Sequence, residues 1–125
     1  MEITRVGNSE DKPYSTAVIA GGRFVFVSGQ IPTRGGQLVG GSIAAQTEVA
    51  LENLVKVLES AGATLDDVTR CSVFLADLRD LPAFNVAYLR AFGSRLPART
   101  AVGAELPGYG IEIDCIAVIP ELEMK

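Results

Sequence analysis

Two charged residues in the last third of the chain are the first candidates for chemistry. Arg99 lies between Pro97 and a predicted strand, where its planar guanidinium could form a bidentate pair with a carboxylate. Glu112 is flanked by Ile111 and Ile113, and partial burial of such a carboxylate would suit it to general acid–base catalysis. Each residue has an ordinary alternative: Arg99 could form a structural ion pair, and Glu112 could be one of several acids on an exposed sheet face.

Three further candidates lie close to predicted strands. Tyr14 could hold a ligand by stacking or by a hydrogen bond, or it could only anchor a surface loop. Ser28 and Gly29 come at the end of a predicted strand. A glycine there could let a ligand approach backbone N–H groups closely, or it could serve the turn alone. Composition by itself does not choose between these alternatives.

The residues that are missing exclude several classes of function. The chain of 125 residues contains no histidine, so a Ser-His-Asp triad, a Cys-His pair and a histidine-ligated metal are all excluded. Eleven basic against fifteen acidic residues give a net charge of −4 with no basic cluster, which disfavours binding to a nucleic-acid backbone. Cys71 and Cys115 form no C-x-x-C motif, so we expect two small buried side chains rather than a disulfide or a metal site.

Length and hydropathy predict a single domain over residues 1–125. The chain is 48% hydrophobic, and it needs neither a metal nor a disulfide to hold a core of this size. The acidic, polar N-terminus does not resemble a signal peptide, and the apolar runs are shorter than the ~18 residues of a membrane span. We therefore expect a cytoplasmic protein.

The pattern of apolar residues predicts strands in both halves of the chain. Residues 15–20 and 23–28 are runs of β-formers joined by Gly21-Gly22, which predicts a hairpin with a tight turn. The glycine-rich residues 33–41 predict a surface loop. Residues 68–75, a short extended piece after Pro97, and residues 111–119 predict three more strands.

Two helices are predicted between these strands. Ser42 is a plausible N-cap of the first, whose apolar residues recur at helical spacing up to Gly62 (Leu51, Leu54, Val55 and Leu58). Asp80 is a plausible cap of the second, shorter helix, with Pro82 in its first turn. Its predicted apolar face ends at Gly93 (Leu81, Phe84, Tyr88, Leu89 and Phe92).

The elements together predict an α+β fold with a mixed sheet of about five or six strands and two helices on one face. In the last strand, Glu112 and Asp114 lie on the face opposite Ile111 and its alternate neighbours. Ile116 and Val118 share the face of Glu112. Because that face is partly apolar, we expect it to be buried against another copy of the chain.

Several stretches across nearly the whole chain resemble the Rid/YjgF family of reactive-intermediate imine deaminases. The most specific are two motifs near the C-terminus, and the rest are shorter matches. They are Pro97-Ala98-Arg99-Thr100, Ile111-Glu112-Ile113-Asp114, Val27-Ser28-Gly29-Gln30-Ile31-Pro32, Ala45-Gln46-Thr47, Leu51-Glu52-Asn53-Leu54, Asp77-Leu78 and Phe84-Asn85-Val86-Ala87-Tyr88.

The resemblance implies a chorismate-mutase-like fold assembled as a homotrimer with three ligand clefts between subunits. It also implies hydrolysis of small enamines and imines, such as 2-aminoacrylate and 2-iminopropanoate, to 2-keto acids and ammonia, without a cofactor or a metal. By position, Arg99 would bind the substrate carboxylate and Glu112 would position or activate the attacking water. Tyr14 and Ser28 would line the cleft, and backbone N–H groups near Gly29 and Ala101 would help to hold the ligand.

Two other functions remain as alternatives. One is a non-catalytic trimer that binds a small carboxylate and regulates another process, although the presence of both Arg99 and Glu112 disfavours it. The other is cleavage of RNA, an activity attached to relatives, which the acidic balance of the chain disfavours. We expect no nucleic-acid partner and no membrane partner.

Overall fold

The main sheet has four strands, two of which carry the predicted catalytic residues. The computed structural model describes residues 3–7, 13–15 and 17–119. The strands are β1 (Thr4–Val6), β2 (Ala17–Ile19), β3 (Arg23–Gln30), β4 (Thr33–Arg34), β5 (Gln37–Leu38), β6 (Val68–Leu75), β7 (Ala98–Gly103) and β8 (Ile111–Ile119), and the helices are α1 (Ile43–Ser60) and α2 (Leu81–Phe92). The main sheet has the order β3-β8-β6-β7; β6 and β7 are parallel and the other pairs are antiparallel.

Both helices pack against one face of this sheet, which confirms the predicted α+β class. Alternate residues of β8 point into the core, as the period of two requires. A fully buried leucine such as Leu54 contributes about 2 kcal/mol to folding. The core joins side chains of the sheet to one stripe of each helix (Ile111, Ile113, Cys115, Ala117, Val73, Leu75, Leu51, Leu54, Leu58, Phe84, Tyr88 and Phe92).

The predicted number of strands and one predicted pairing are wrong. Four strands, rather than five or six, form the main sheet, because β1 pairs with β2 and β4 pairs with β5 in separate two-stranded sheets. The predicted hairpin across Gly21-Gly22 does not form, although both of its strands exist: β3 pairs with β8 instead. The alternation of residues identifies a strand, but it does not identify the neighbour of that strand.

The tight glycine turn lies in the segment that was predicted to be a loop. Gly35 and Gly36 have φ values of 58° and 80°, and they join β4 to β5. A two-residue hairpin turn of the type that matches strand twist requires positive φ at both positions, which glycine adopts without strain. The same dipeptide at Gly21-Gly22 joins strands of two different sheets.

Both helices begin and end as predicted, but the predicted side-chain cap of the second is absent. The Ser42 Oγ accepts a hydrogen bond from the Ala45 N–H at 3.2 Å, and Gly62 ends the helix with a φ of 81°. Asp80 precedes α2 but its side chain caps nothing. Instead, the Asp77 carboxylate accepts from the Arg79 N–H at 2.9 Å and caps the short 3-10 turn Leu78–Asp80.

The face of the sheet opposite the helices is open and partly apolar. The most exposed apolar side chains on this face are Phe24 and Phe26, which are 58% and 73% exposed and lie opposite Val118 and Ile116 across the β3–β8 pair. Val118 itself is buried within the single chain, contrary to expectation. A second departure concerns α2, where Leu89 is 38% exposed rather than part of the buried stripe.

Candidate functional site

Arg99 lies on the edge strand β7 with its side chain directed at α2. The guanidinium is half-buried, and its Nη1 donates a hydrogen bond to the Asn85 Oδ1 at 2.8 Å. Its central carbon lies 4.9 Å from the centre of the Tyr88 ring and 5.6 Å from that of Phe84, within the range of cation–π attraction. Desolvation lowers the pKa of Arg99 from its usual value, but an arginine remains charged at neutral pH.

The charge of Arg99 is not neutralised by any carboxylate in the described part of the chain. Four other arginines form ion pairs with acidic side chains there, at 2.7 to 3.5 Å (Arg34–Glu52, Arg79–Asp77, Arg90–Glu48 and Arg95–Asp66). The structural ion pair considered as an alternative for Arg99 is absent from these residues. A half-buried cation held only by an amide oxygen and two rings is free to bind an anion.

Tyr14 lies beside Arg99 because the segment that contains it is fastened to the chain just before β7. The Ser15 N–H donates to the Pro97 carbonyl at 2.8 Å, and the buried Ser15 hydroxyl donates to the Leu96 carbonyl. The Tyr14 phenol is close enough to influence the pKa of Arg99. Ala101 follows two residues after Arg99 on β7 and is half-buried. We call Arg99, Tyr14 and Ala101 the arginine group.

Glu112 lies on β8, next to the end of β3. The Tyr109 hydroxyl donates to the Glu112 Oε1 at 3.2 Å. The other carboxylate oxygen lies over Gly29: a Cβ built on Gly29 would be 2.2 Å from the Glu112 Oε2. Ser28 is exposed beside Gly29, where the β3–β8 register shifts. We call Glu112, Ser28 and Gly29 the glutamate group.

The structure brings the predicted residues together as two groups, not as one site. Glu112 lies opposite Phe74 on β6, and Phe74 lies opposite Val102 on β7, three positions from Arg99. The Cα atoms of Glu112 and Arg99 are therefore two strand spacings apart across the sheet and three residues apart along it, a distance of roughly 14 Å. Because successive residues of a strand face opposite sides, the Glu112 side chain also lies on the other face of the sheet. One chain therefore does not hold both side chains around one small ligand.

The contact between Gly29 and Glu112 allows a prediction. We expect Gly29→Ala to lower kcat for the substrate class considered below by about tenfold, because the added methyl must displace the Glu112 carboxylate from its position against the β3 backbone. Steady-state kinetics on the purified variant would measure the loss.

Gly40→Ala is a matched control for this change, since a Cβ built on Gly40 meets no atom within 4 Å. We expect it to retain the kcat of the parent. If both variants retained it, the proximity of Gly29 to Glu112 would have no catalytic consequence.

The two cysteines are buried behind Arg99 and do not supply a nucleophile. Cys71 lies on β6, opposite Arg99 on β7 and Cys115 on β8. Both thiols are free. Burial raises the pKa of Cys115 to about 12 and also raises the pKa of Cys71. Protonated thiols are poor nucleophiles, so the interpretation of both cysteines as small buried side chains is confirmed.

Four contacts were not predicted from the sequence, three of Arg99 and one of Glu112. Asn85, Phe84 and Tyr88 were recognised in a family motif, but nothing in the motif assigned them to Arg99. The helical spacing of Phe84 and Tyr88 predicts that the two rings share a face of α2, and no other feature of the sequence pointed to these contacts. No pattern in the sequence predicts the contact of Tyr109 with Glu112, because this contact depends on the path of the chain into β8.

Other features of the surface lie away from both groups. A groove of about 540 Å³ runs between α1 and α2, with Leu51, Val55 and Leu65 among its lining residues, and none of the predicted site residues lines it. Among residues 3–7, 13–15 and 17–119, no three acidic or cysteine side chains come together as metal ligands. None of the helices described has the length and apolarity that crossing a membrane requires.

Fold and site together define a class: an α+β protein that carries an uncompensated, half-buried arginine at the edge of a mixed sheet. The family model described as endoribonuclease L-PSP matches residues 8–119. The chain belongs to this family, the Rid/YjgF family, and the resemblance stated above is confirmed.

Three relatives illustrate the range of the family. The human 2-iminobutanoate/2-iminopropanoate deaminase is 39% identical over 110 residues, which cover 85% of this chain and 80% of the human protein. A Yersinia pestis protein of unknown function from the conserved Rid family is 33% identical, with a TM-score of 0.81 and coverage of 95% and 100% of the two chains. RidA from an Antarctic Psychrobacter is 35% identical, with a TM-score of 0.73 and coverage of 89% and 92%.

Proposed function

We propose that the protein hydrolyses small enamines and imines that carry a carboxylate, of the 2-aminoacrylate and 2-iminopropanoate type, to 2-keto acids and ammonia. The observation that carries this proposal is the guanidinium of Arg99, which is half-buried, oriented by Asn85 and two rings, and paired with no described carboxylate. A small anion is the ligand that such a group recognises best. The name of the human relative supports the choice of substrate class.

The proposal includes assembly into a homotrimer with one cleft at each subunit boundary. The arginine group of one subunit would face the glutamate group of the next, since a single chain holds them on opposite faces of the sheet. Phe24 and Phe26 support this assembly because two largely exposed rings on an open sheet face favour burial against another protein surface. Without a second copy, the site would contain an anion-binding group but no base.

Substrate binding and both steps of imine hydrolysis have a residue to carry them. Arg99 binds the substrate carboxylate. An enamine first becomes the imine when a proton moves from nitrogen to the methylene carbon. Glu112 then accepts a proton from water as the oxygen bonds to the imine carbon, and it passes that proton to the nitrogen. In the resulting carbinolamine, the hydroxyl proton moves to nitrogen through Glu112, the C–N bond breaks, the carbonyl forms and ammonia leaves.

The catalytic demand on these residues is modest. Imines of this kind hydrolyse without a catalyst, so positioning and a general acid–base contribution of about 10²- to 10⁴-fold suffice. A carboxylate can serve as the proton carrier, which agrees with a chain that contains no histidine. The reaction requires no cofactor.

The description of the family as an endoribonuclease makes RNA cleavage the competing activity. The distribution of charge argues against it for this chain. The net charge is −4, and four arginines of the described surface are already paired with acidic side chains. A protein that binds RNA through phosphates needs unpaired basic side chains clustered on one surface.

The experiment that tests the proposal generates 2-aminoacrylate in the presence of the protein and follows pyruvate and ammonia. We expect both products to form faster than in buffer alone and in equal amounts. Binding of pyruvate without any acceleration would overturn the enzymatic proposal in favour of the non-catalytic, carboxylate-binding trimer. Binding to RNA that persists at physiological salt, with no acceleration of product formation, would overturn it in favour of the nucleic-acid function.

A mixture of two inactive variants tests the shared cleft. When Arg99→Ala and Glu112→Gln chains are unfolded, mixed in equal amounts and refolded, random assembly should place the two intact residues at about one site in four. We therefore expect roughly a quarter of the parent activity from the mixture, and almost none from either variant refolded alone. A mixture as inactive as its components would contradict a site made by two subunits.

A further inference from the structure

The partner of Arg99 is an amide, although an arginine in this position could have been held by a carboxylate. Asn85 lies on α2, one residue after Phe84 and three before Tyr88. These three side chains hold the guanidinium from the α2 side, through a hydrogen bond of 2.8 Å to the Asn85 Oδ1 and the two ring contacts, while Tyr14 lies beside it from another segment. One turn of one helix therefore supplies the described hydrogen bond and both ring contacts of Arg99.

An amide oxygen and a carboxylate oxygen orient a guanidinium equally well but differ in charge. A carboxylate would neutralise Arg99 and compete with an anionic ligand, as Asp77 and Glu48 do for the arginines they pair with. The Asn85 oxygen accepts one N–H, and within the described ranges the other N–H groups of Arg99 have no hydrogen-bond acceptor. These groups can form the bidentate fork that a ligand carboxylate requires.

We propose that Asn85 is a positioning residue that orients the Arg99 guanidinium while leaving its charge intact, and that this pairing makes the site selective for carboxylates over neutral molecules of the same shape. The inference rests on the proposed function, because it concerns the residue to which that function assigns substrate binding. It adds a role for Asn85 and a basis for selectivity.

Binding of a product to the intact protein tests this inference without any need for turnover. Pyruvate and its neutral amide, pyruvamide, are titrated into the parent, Asn85→Asp and Asn85→Ala by calorimetry. We expect the parent to prefer pyruvate at least about tenfold. Asn85→Asp keeps the shape and the acceptor but adds a negative charge, so the Kd for pyruvate should rise about tenfold or more and the preference should disappear. Asn85→Ala should raise the Kd about fivefold.

Stability measurements separate this role from a structural one. A carboxylate at position 85 lies in the first half of α2 and beside Arg99, so we expect Asn85→Asp to have a melting temperature equal to or above that of the parent while it binds pyruvate more weakly. Val86→Ala, at a neighbouring and largely exposed position, is the control and should bind as the parent does.

The outcomes distinguish this inference from the proposed function. If the parent binds pyruvate and Asn85→Asp binds it equally well, the inference is wrong and the proposed function stands. Equal losses of pyruvate affinity in Asn85→Asp and Asn85→Ala would also overturn the inference. They would show that the hydrogen-bond acceptor at position 85 matters and that the charge at this position does not. If the parent itself prefers pyruvate no more than pyruvamide, both the inference and the anion site of the proposed function fail.

Discussion

Replacement of Arg99 with alanine should lower kcat/KM for 2-iminopropanoate by about 10²- to 10³-fold while the fold remains intact. The variant loses a half-buried, charge-assisted contact with the substrate carboxylate, and such a loss costs about 3–4 kcal/mol of binding to the transition state. The side chain packs against the rings of Tyr88 and Phe84 but pairs with no described carboxylate, so its removal leaves no buried charge unpaired. The measurement is steady-state kinetics together with circular dichroism.

Two further variants show whether the loss belongs to the guanidinium itself. Arg99→Lys keeps the charge but not the planar fork, so we expect an intermediate loss with a raised KM. Arg90→Ala removes an exposed arginine of α2 that pairs with Glu48, and it should retain the parent kinetics. Parent-like turnover by Arg99→Ala would show that Arg99 does not bind the substrate.

Replacement of Glu112 with glutamine should lower kcat by about 10²- to 10⁴-fold and leave KM nearly unchanged. Glutamine keeps the size of the side chain and an oxygen that can accept from the Tyr109 hydroxyl, but its amide cannot take a proton from water. An effect confined to kcat is the sign of an interaction needed only in the transition state. Single-turnover kinetics would separate the chemical step from product release.

Asp114→Asn is the matched control for this change. Asp114 lies two residues further along β8, on the same face and opposite Ser72, so it shares the strand and the charge of Glu112 but not the contact with Tyr109 and Gly29. We expect it to keep the parent kcat. If Asp114→Asn lost activity and Glu112→Gln did not, the base would be assigned to the wrong acid of the strand.

Local patterns identified most of the elements correctly but did not identify their neighbours. The cap at Ser42, the stop at Gly62 and the alternation along β8 depend on residues close in sequence, and all three are confirmed. The Gly21-Gly22 hairpin failed because a turn signal reports only that the chain can reverse, and the pairing of β3 with β8 depends on residues about ninety positions apart. Asp80 occupies the predicted N-cap position of α2, but its side chain caps nothing because Asp80 is the last residue of a 3-10 turn that Asp77 caps.

By itself, the sequence determined the class of fold, the family, and the absence of any chemistry that needs histidine, because these follow from composition, periodicity and short motifs. Only the tertiary structure decided what surrounds the candidate residues. It placed Arg99 against a neutral amide and two rings, Glu112 against Gly29 and Tyr109, and the two charged residues on opposite faces of one sheet. The physical reason is that strand order and register set these contacts, and both depend on the packing of the whole chain rather than on any local pattern.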